Sequence, residues 1–137
     1  MEGIIADGVG MIRKNAFLMR PNVIVNMQEY NPPVPEKIDG LLQDLIKYIV
    51  ADQSVDILIK AALVYYQFET IHPFISGNGR VGRLLPALLL MKQGILSKGC
   101  LFISEYLYKY NDVCLDLYFR VQHFGNYTEW VQFFLQC

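Results

Sequence analysis

Cysteine and net charge are both scarce in this chain, and each scarcity excludes a class of protein. Three cysteines among 137 residues, Cys100, Cys114 and Cys137, have no paired spacing and give no basis for a disulfide framework or a zinc site. A formal net charge of -1, with no basic run, speaks against a nucleic-acid coat or a protein held to a membrane surface by charge. The longest apolar run, residues 84–91, is too short to span a bilayer and is interrupted by Pro86, and no charged segment followed by an apolar stretch opens the sequence. The expected setting is therefore reducing cytoplasm, with no membrane and no nucleic-acid partner. What the chain does have is apolar residues, 53% of the total. That is enough for one well-buried core, and 1–137 reads as a single domain.

Helical periodicity dominates. Val34 and Pro35 open a first helix, with proline near the first helical position, and Ile38, Leu41, Leu42, Leu45 and Ile49 follow on one face. Ser54 is the expected N-cap of a second, with Asp56 favouring the helix dipole. This helix runs through Ile57, Ala61, Val64 and Phe68 and delivers His72 just past its end. A third is expected from Arg80 to a terminator at Gly94, carrying Pro86 inside it. Ser104 caps a fourth, long helix through Val121, and Asn126 or Thr128 a short last one ending at Phe133 and Phe134. Two short runs, 15–19 and 23–27, flank the turn composition Arg20, Pro21, Asn22 and predict a small β-hairpin. The fold class is mainly α with that hairpin added.

The chemistry is concentrated in His72-Pro73-Phe74-Ile75-Ser76-Gly77-Asn78-Gly79-Arg80-Val81-Gly82-Arg83. Gly77 and Gly79 flank Asn78, so the backbone can turn successive N–H groups toward one point, a geometry that binds anions. A helix starting there adds free amides and the positive end of its dipole. Arg80 and Arg83, three apart, share a face of the first turn, and two forked guanidiniums suit a polyphosphate. Neutral His72 can accept a proton from an attacking hydroxyl. A base beside a polyphosphate grip implies transfer of a phosphoryl or nucleotidyl group.

This run resembles the signature of the Fic family: His-Pro-Phe, any residue, Asp or Glu, then Gly-Asn-Gly-Arg, two residues and Arg. The likeness extends to Gly10 and Arg13, to Tyr30-Asn31-Pro32-Pro33, and to the closing stretch from Tyr127 through Phe134. The resemblance implies a helical Fic-type core with a hairpin flap, and transfer of AMP from ATP, or of another nucleotide, to a target protein hydroxyl. By the same resemblance His72 is the general base and Phe74 anchors the loop. Gly77, Asn78 and Gly79 hold the inner phosphates, and Arg80 and Arg83 the outer ones. Val23, Ile24, Val25 and Asn26 fall in the flap, which would pair with an extended target segment. The family's carboxylate holds Mg²⁺, and here that position is Ser76, a neutral hydroxyl and a weak ligand for a hard cation. Mg²⁺ is thus expected with ATP but with a weakened direct ligand, and transfer is expected to be reduced. The inhibitory helix of many relatives, with its Ser or Thr and a Glu four residues on, has no counterpart here, so inhibition would need a partner chain or a missing segment.

Two alternatives stand beside adenylyl transfer: a Fic-like transferase using another phosphate donor, and a non-catalytic regulator that binds nucleotide. Several residues receive plainer readings. His123 is structural, Tyr65, Tyr66 and Phe68 are core and wall, and Asn126, Tyr127 and Trp130 pack the last helix. Of Tyr106, Tyr108, Tyr110 and Asn111, helical spacing allows one or two to reach a nucleobase. Cys114 and Leu115, where relatives often carry a Tyr pair, leave the base identity open.

Overall fold

The computed structural model describes residues 11–15, 32–51, 54–98 and 101–137. Among them six α-helices follow a 3-10 turn at Pro35–Lys37: α1 (Ile38–Val50), α2 (Ile57–Ile71), α3 (Asn78–Lys92), α4 (Ser104–Lys109), α5 (Asn111–Phe124) and α6 (Thr128–Phe134). The mainly helical expectation holds. The expected hairpin lies outside the described residues from residue 16 onward, and so do the flap residues Val23, Ile24, Val25 and Asn26.

α2 is the central element, and its composition explains why. Ala61, Ala62, Val64, Tyr65, Tyr66, Phe68 and Ile71 are all buried, so the helix is apolar around most of its circumference and must be enclosed. Ala62, Tyr65 and Tyr66 join Leu107, Cys114, Leu117, Tyr118, Val121, Trp130 and Phe134 in one cluster, while Val64, Phe68 and Ile71 join Ile38, Leu45 and Leu89 in another. The stripe expected on α1 is the one that packs there: Ile38 and Leu45 are buried, with Leu41, Leu42 and Ile49 against the same cluster. Trp130 is fully buried and its indole Nε1 donates to the Ala62 carbonyl at 2.9 Å, while its ring stacks on Tyr65 at 5.8 Å. The aromatic body and the polar handle are both satisfied. α6 is thereby fastened to α2.

The helix ends sharpen the sequence reading. Asp56, not Ser54, caps α2, its carboxylate accepting from the Leu58 N–H at 2.8 Å. α3 starts at Asn78, two residues before the expected Arg80, because Gly77 in the left-handed region (φ 91°) turns the chain directly into it. Gly94 (φ 72°) ends that helix, and the Ile95 N–H donates back to the Leu90 carbonyl at 3.0 Å. Pro86 is tolerated within α3 and wholly buried. The single fourth helix is instead two, divided at Tyr110 (φ −110°, ψ 32°), whose ring packs on Tyr106 at 4.7 Å and edge-on to Phe133. Ser104 is the first residue of α4, and Ile103 occupies the cap position. Asn126 supplies the side chain ahead of α6, accepting from the Thr128 N–H at 3.0 Å.

Candidate active site

The site begins with a strained backbone position. α2 ends on His72, whose φ of 46° and ψ of 60° lie in the left-handed region, where Cβ crowds the following carbonyl. Among the described residues no other non-glycine residue has positive φ. Arg13 holds the chain there: its Nε donates to the His72 carbonyl at 2.8 Å and its Nη2 to the Ile71 carbonyl at 3.3 Å and to the Pro33 carbonyl. A buried guanidinium at a helix C-terminus answers both the free carbonyls and the negative end of the dipole. The Arg13 N–H also donates to the Pro73 carbonyl at 2.9 Å, and the Ile75 N–H to the Met11 carbonyl at 2.9 Å, around an antiparallel bridge between Ile12 and Phe74. Phe74 itself leans on Phe68 at 6.1 Å, anchoring the loop in the core.

The turn into α3 is braced from within. Asn78 is buried, and its Oδ1 accepts from the Phe74 N–H at 2.8 Å while its Nδ2 donates to the Phe74 carbonyl at 2.8 Å. Its side chain is thus committed to the loop, and its backbone N–H is what it can offer a ligand. With α3 beginning at Asn78, the amides of Asn78, Gly79 and Arg80 have no intrahelical acceptor and sit at the positive end of a 15-residue helix. A cavity of about 410 Å³ lies beside this turn, lined by His72, Glu69, Gly79 and Arg83 together with Tyr65, Tyr118, Ser104, Leu107, Tyr108, Asn111, Cys114 and Leu115. The Arg83 guanidinium folds over Gly79, where a Cβ would stand 2.9 Å from its Nη1.

Of the residues expected from sequence, His72, Gly79 and Arg83 share this cavity. Gly77 and Asn78 shape the turn beside it, and Phe74 is packed behind. Arg80 is exposed and Ser76 half-buried, and neither lines the cavity. Tyr108 and Asn111 face it, whereas Tyr106 and Tyr110 pack against Phe133 at 5.4 and 6.5 Å.

Burial pushes the His72 imidazole down to about 4, the Glu69 backbone carbonyl beside it pulling upward and the Arg13 charge pushing further down. The ring is therefore neutral, and able to accept a proton, throughout the physiological range. Glu69 shows the opposite response. Burial raises its carboxyl to about 7 against the lowering effect of Arg83. Its Oε1 is enclosed with no hydrogen-bond partner. Room for that oxygen exists only because position 82 is glycine, where a Cβ would come within 2.1 Å of it.

A directly ligated Mg²⁺ does not fit this donor set. The loop offers the neutral hydroxyl of Ser76, and among the described residues no group of three or more His, Cys, Asp or Glu is arranged to hold a metal. Glu69, the carboxyl in the cavity wall, is sealed on one oxygen and drawn toward its neutral form, which is a poor ligand for a hard cation.

The residue pattern and this geometry meet a known family. The Fic/DOC family model matches residues 2–90. The chain belongs to the Fic/DOC family. It is 30% identical over 78 residues to a probable protein adenylyltransferase of Aquifex aeolicus, covering 57% of this chain and 24% of that one. A protein adenylyltransferase Fic of Culex quinquefasciatus is 32% identical over 108 residues, 77% of this chain and 20% of its own. One from Drosophila grimshawi is 42% identical over 65 residues, 46% of this chain and 14% of its own. The chain thus spans about a quarter or less of the length of these relatives. In fold it matches a crystal structure of a Fic family protein from Desulfovibrio desulfuricans, with a TM-score of 0.68 and 24% identity over 99% of this chain and 40% of that one.

Two residues of this Fic site were given no role from the sequence. Arg13 was visible only as part of the family likeness, because nothing local marks a lone arginine as the clasp of a helix 59 positions away. Glu69 carried a readable signal: a carboxylate in an otherwise apolar helix, three residues before the proposed base.

Proposed function

We propose that this Fic core is the transfer centre of a protein adenylyltransferase, moving AMP from ATP to a hydroxyl of a target protein in the cytoplasm. The observation that carries the reading is that His72, Gly79 and Arg83 line one cavity at the free N-terminus of α3. The names of the relatives supply the reaction class. In this reading the α- and β-phosphates lie on the amides of Gly77, Asn78 and Gly79 and the outer phosphates on Arg83, with Arg80 reaching in from the rim. Neutral His72 takes the proton of the target hydroxyl as its oxygen attacks the α-phosphorus. The bond from the α-phosphorus to the bridging oxygen then breaks and pyrophosphate leaves. Preorganised amides and a guanidinium meet the developing charge without reorganising. The flap expected around Val23, Ile24, Val25 and Asn26 would present the target as an added strand, and control would come from a partner chain.

Ser76 separates this from a second reading. Any Mg²⁺ would arrive with the nucleotide, held by phosphate oxygens and water, so turnover is slow and the protein could serve as a nucleotide-binding regulator. The deciding experiment is intact-mass and radiolabel analysis after incubation with ATP, GTP, UTP and CTP. Label from α-labelled ATP that disappears in His72→Ala supports adenylyl transfer. Label from γ-labelled ATP would instead identify a phosphotransferase. Binding by calorimetry with no transfer, even in Ser76→Asp, would leave only the regulator. If Ser76 limits the reaction, Ser76→Asp raises the rate about tenfold or more.

A further inference from the structure

The carboxyl of Glu69 has no role in the mechanism above, yet the fold makes specific room for it. It lies in the α2–α3 interface one helical turn before His72 and lines the same cavity as Arg83. Gly82 is the concession that admits it, since a Cβ there would overlap Oε1 at 2.1 Å and crowd Cδ at 3.0 Å. An enclosed oxygen without a partner is an expensive feature, which a glutamine or an apolar residue would avoid. The groups that face it are few. Arg83 approaches from α3, Tyr65 from the same helix, and Tyr118 and Cys114 from α5. Burial pushes Tyr65, Tyr118 and Cys114 up, the last to about 12, so all three stay neutral near pH 7. Arg83 is then the one charge among these facing groups. No ion pair joins it to Glu69, and its guanidinium instead rests over Gly79.

We propose that Glu69 is a positioning residue that acts through Arg83: as a carboxylate it is the counter-charge of that guanidinium in the empty site, and it takes up a proton from solvent when a polyphosphate binds Arg83. The physical reason is competition for one cation. A bound polyphosphate neutralises Arg83 and adds negative charge to the cavity, which removes the only stabilisation the buried carboxylate had. Glu69 stands close to half-protonated near pH 7, so a modest change in field moves a large fraction of a proton. Nucleotide affinity then weakens as pH rises, because binding must bring a proton with it. The inference rests on Arg83 being a phosphate ligand, as in the function proposed above.

The test is calorimetric titration of the full chain with a non-hydrolysable α,β-methylene analogue of ATP, at several pH values and in buffers of different ionisation enthalpy. Wild type should take up part of a proton near neutral pH, and its affinity should fall with rising pH by up to about tenfold per unit. Glu69→Gln should bind the analogue without that uptake and with a flatter pH dependence. The phosphate's own ionisation and any contribution from His72 remain in both proteins and cancel in the difference. If Glu69→Gln does not fold, an infrared difference spectrum of wild type supplies the same reading, as a protonated-carboxyl band that grows when the analogue is added. Binding with equal proton uptake in wild type and Glu69→Gln, or binding with no new carboxyl band, overturns this role for Glu69 and leaves the nucleotide site standing. No binding at all overturns the nucleotide site and this role together.

Discussion

α2 has a cavity on each of two faces, and the larger is not the one that gathers the titratable groups. The row Ile59, Leu63 and Gln67, at four-residue spacing, borders a groove of about 750 Å³ shared with α1 and α6. The row Tyr65, Glu69 and His72 borders the cavity of about 410 Å³ shared with α3 and α5. The groove is mostly apolar, with Leu41, Leu45, Tyr48 and Val131 among its walls, and Asp44 is the one acidic or basic residue that lines it. The smaller cavity gathers a histidine in a strained conformation, a buried carboxyl and a guanidinium at a helix N-terminus. Volume measures where packing is incomplete. Strain and desolvation are instead what mark a candidate functional site.

The sharpest way to break that contrast is at the strained position itself. His72→Ala should lower transfer by about 10²- to 10⁴-fold, the usual worth of a positioned base, measured as initial rate of adenylyl incorporation. His72→Gly should lose activity equally and gain about 1 kcal/mol of stability, because glycine accepts φ 46° without the Cβ penalty. A Gly variant with an unchanged or lower melting temperature would mean that the His72 backbone carries no strain. One step further from the base, Gly82→Ala should cost about 1–3 kcal/mol by driving a methyl into the Glu69 carboxyl. Glu69→Ala introduced with it should restore part of that loss, and a double-mutant cycle read by urea unfolding gives the coupling directly.

pH offers a gentler probe of the same wall, with two groups acting in opposite directions. His72 holds a proton below about 4 when folded and, at its ordinary value, below 6.5 when unfolded, so the native state weakens as pH falls through that window. Glu69 holds its proton up to about 7 when folded and only to 4.5 when unfolded, so the native state weakens as pH rises from 4.5 to 7. Over their overlap the two slopes offset each other. Glu69→Gln removes one of them, and its unfolding midpoint should then fall steadily from pH 6.5 downward while wild type stays flatter.

Much of this was legible in the sequence, for identifiable physical reasons. The core stripe of α1, the place of His72 at the end of α2 and the terminator Gly94 follow from local periodicity and from what glycine alone tolerates. So does the turn at Gly77 that opens α3. The motif residues were legible because their types and spacing are fixed by chemistry within one short stretch. What remained hidden depends on distant partners. Ser54 and Asp56 are both competent caps, and the choice between them is made by where α2 packs. The break at Tyr110 depends on Phe133, which is remote in sequence. The bracing role of the Asn78 side chain was hidden too, because periodicity does not reveal that both ends of its amide are taken up by the Phe74 backbone. Glu69 matters only because Gly82 faces it across a helix interface.

The smallest expected effect is on the other face of α2, and it tests the contrast most directly. Ile59 borders the larger groove and is 37% exposed, so Ile59→Ala removes a side chain that is already partly in water and should cost no more than about 1 kcal/mol. The mutation sits on the helix that carries His72, but three turns away and on a face that the proposed transfer does not use. Adenylyl incorporation should therefore stay within about twofold of wild type, far inside the loss expected for His72→Ala. A change in kcat/KM at unchanged stability would show that the groove communicates along α2 with the base, and the two cavities would then have to be treated as one functional unit.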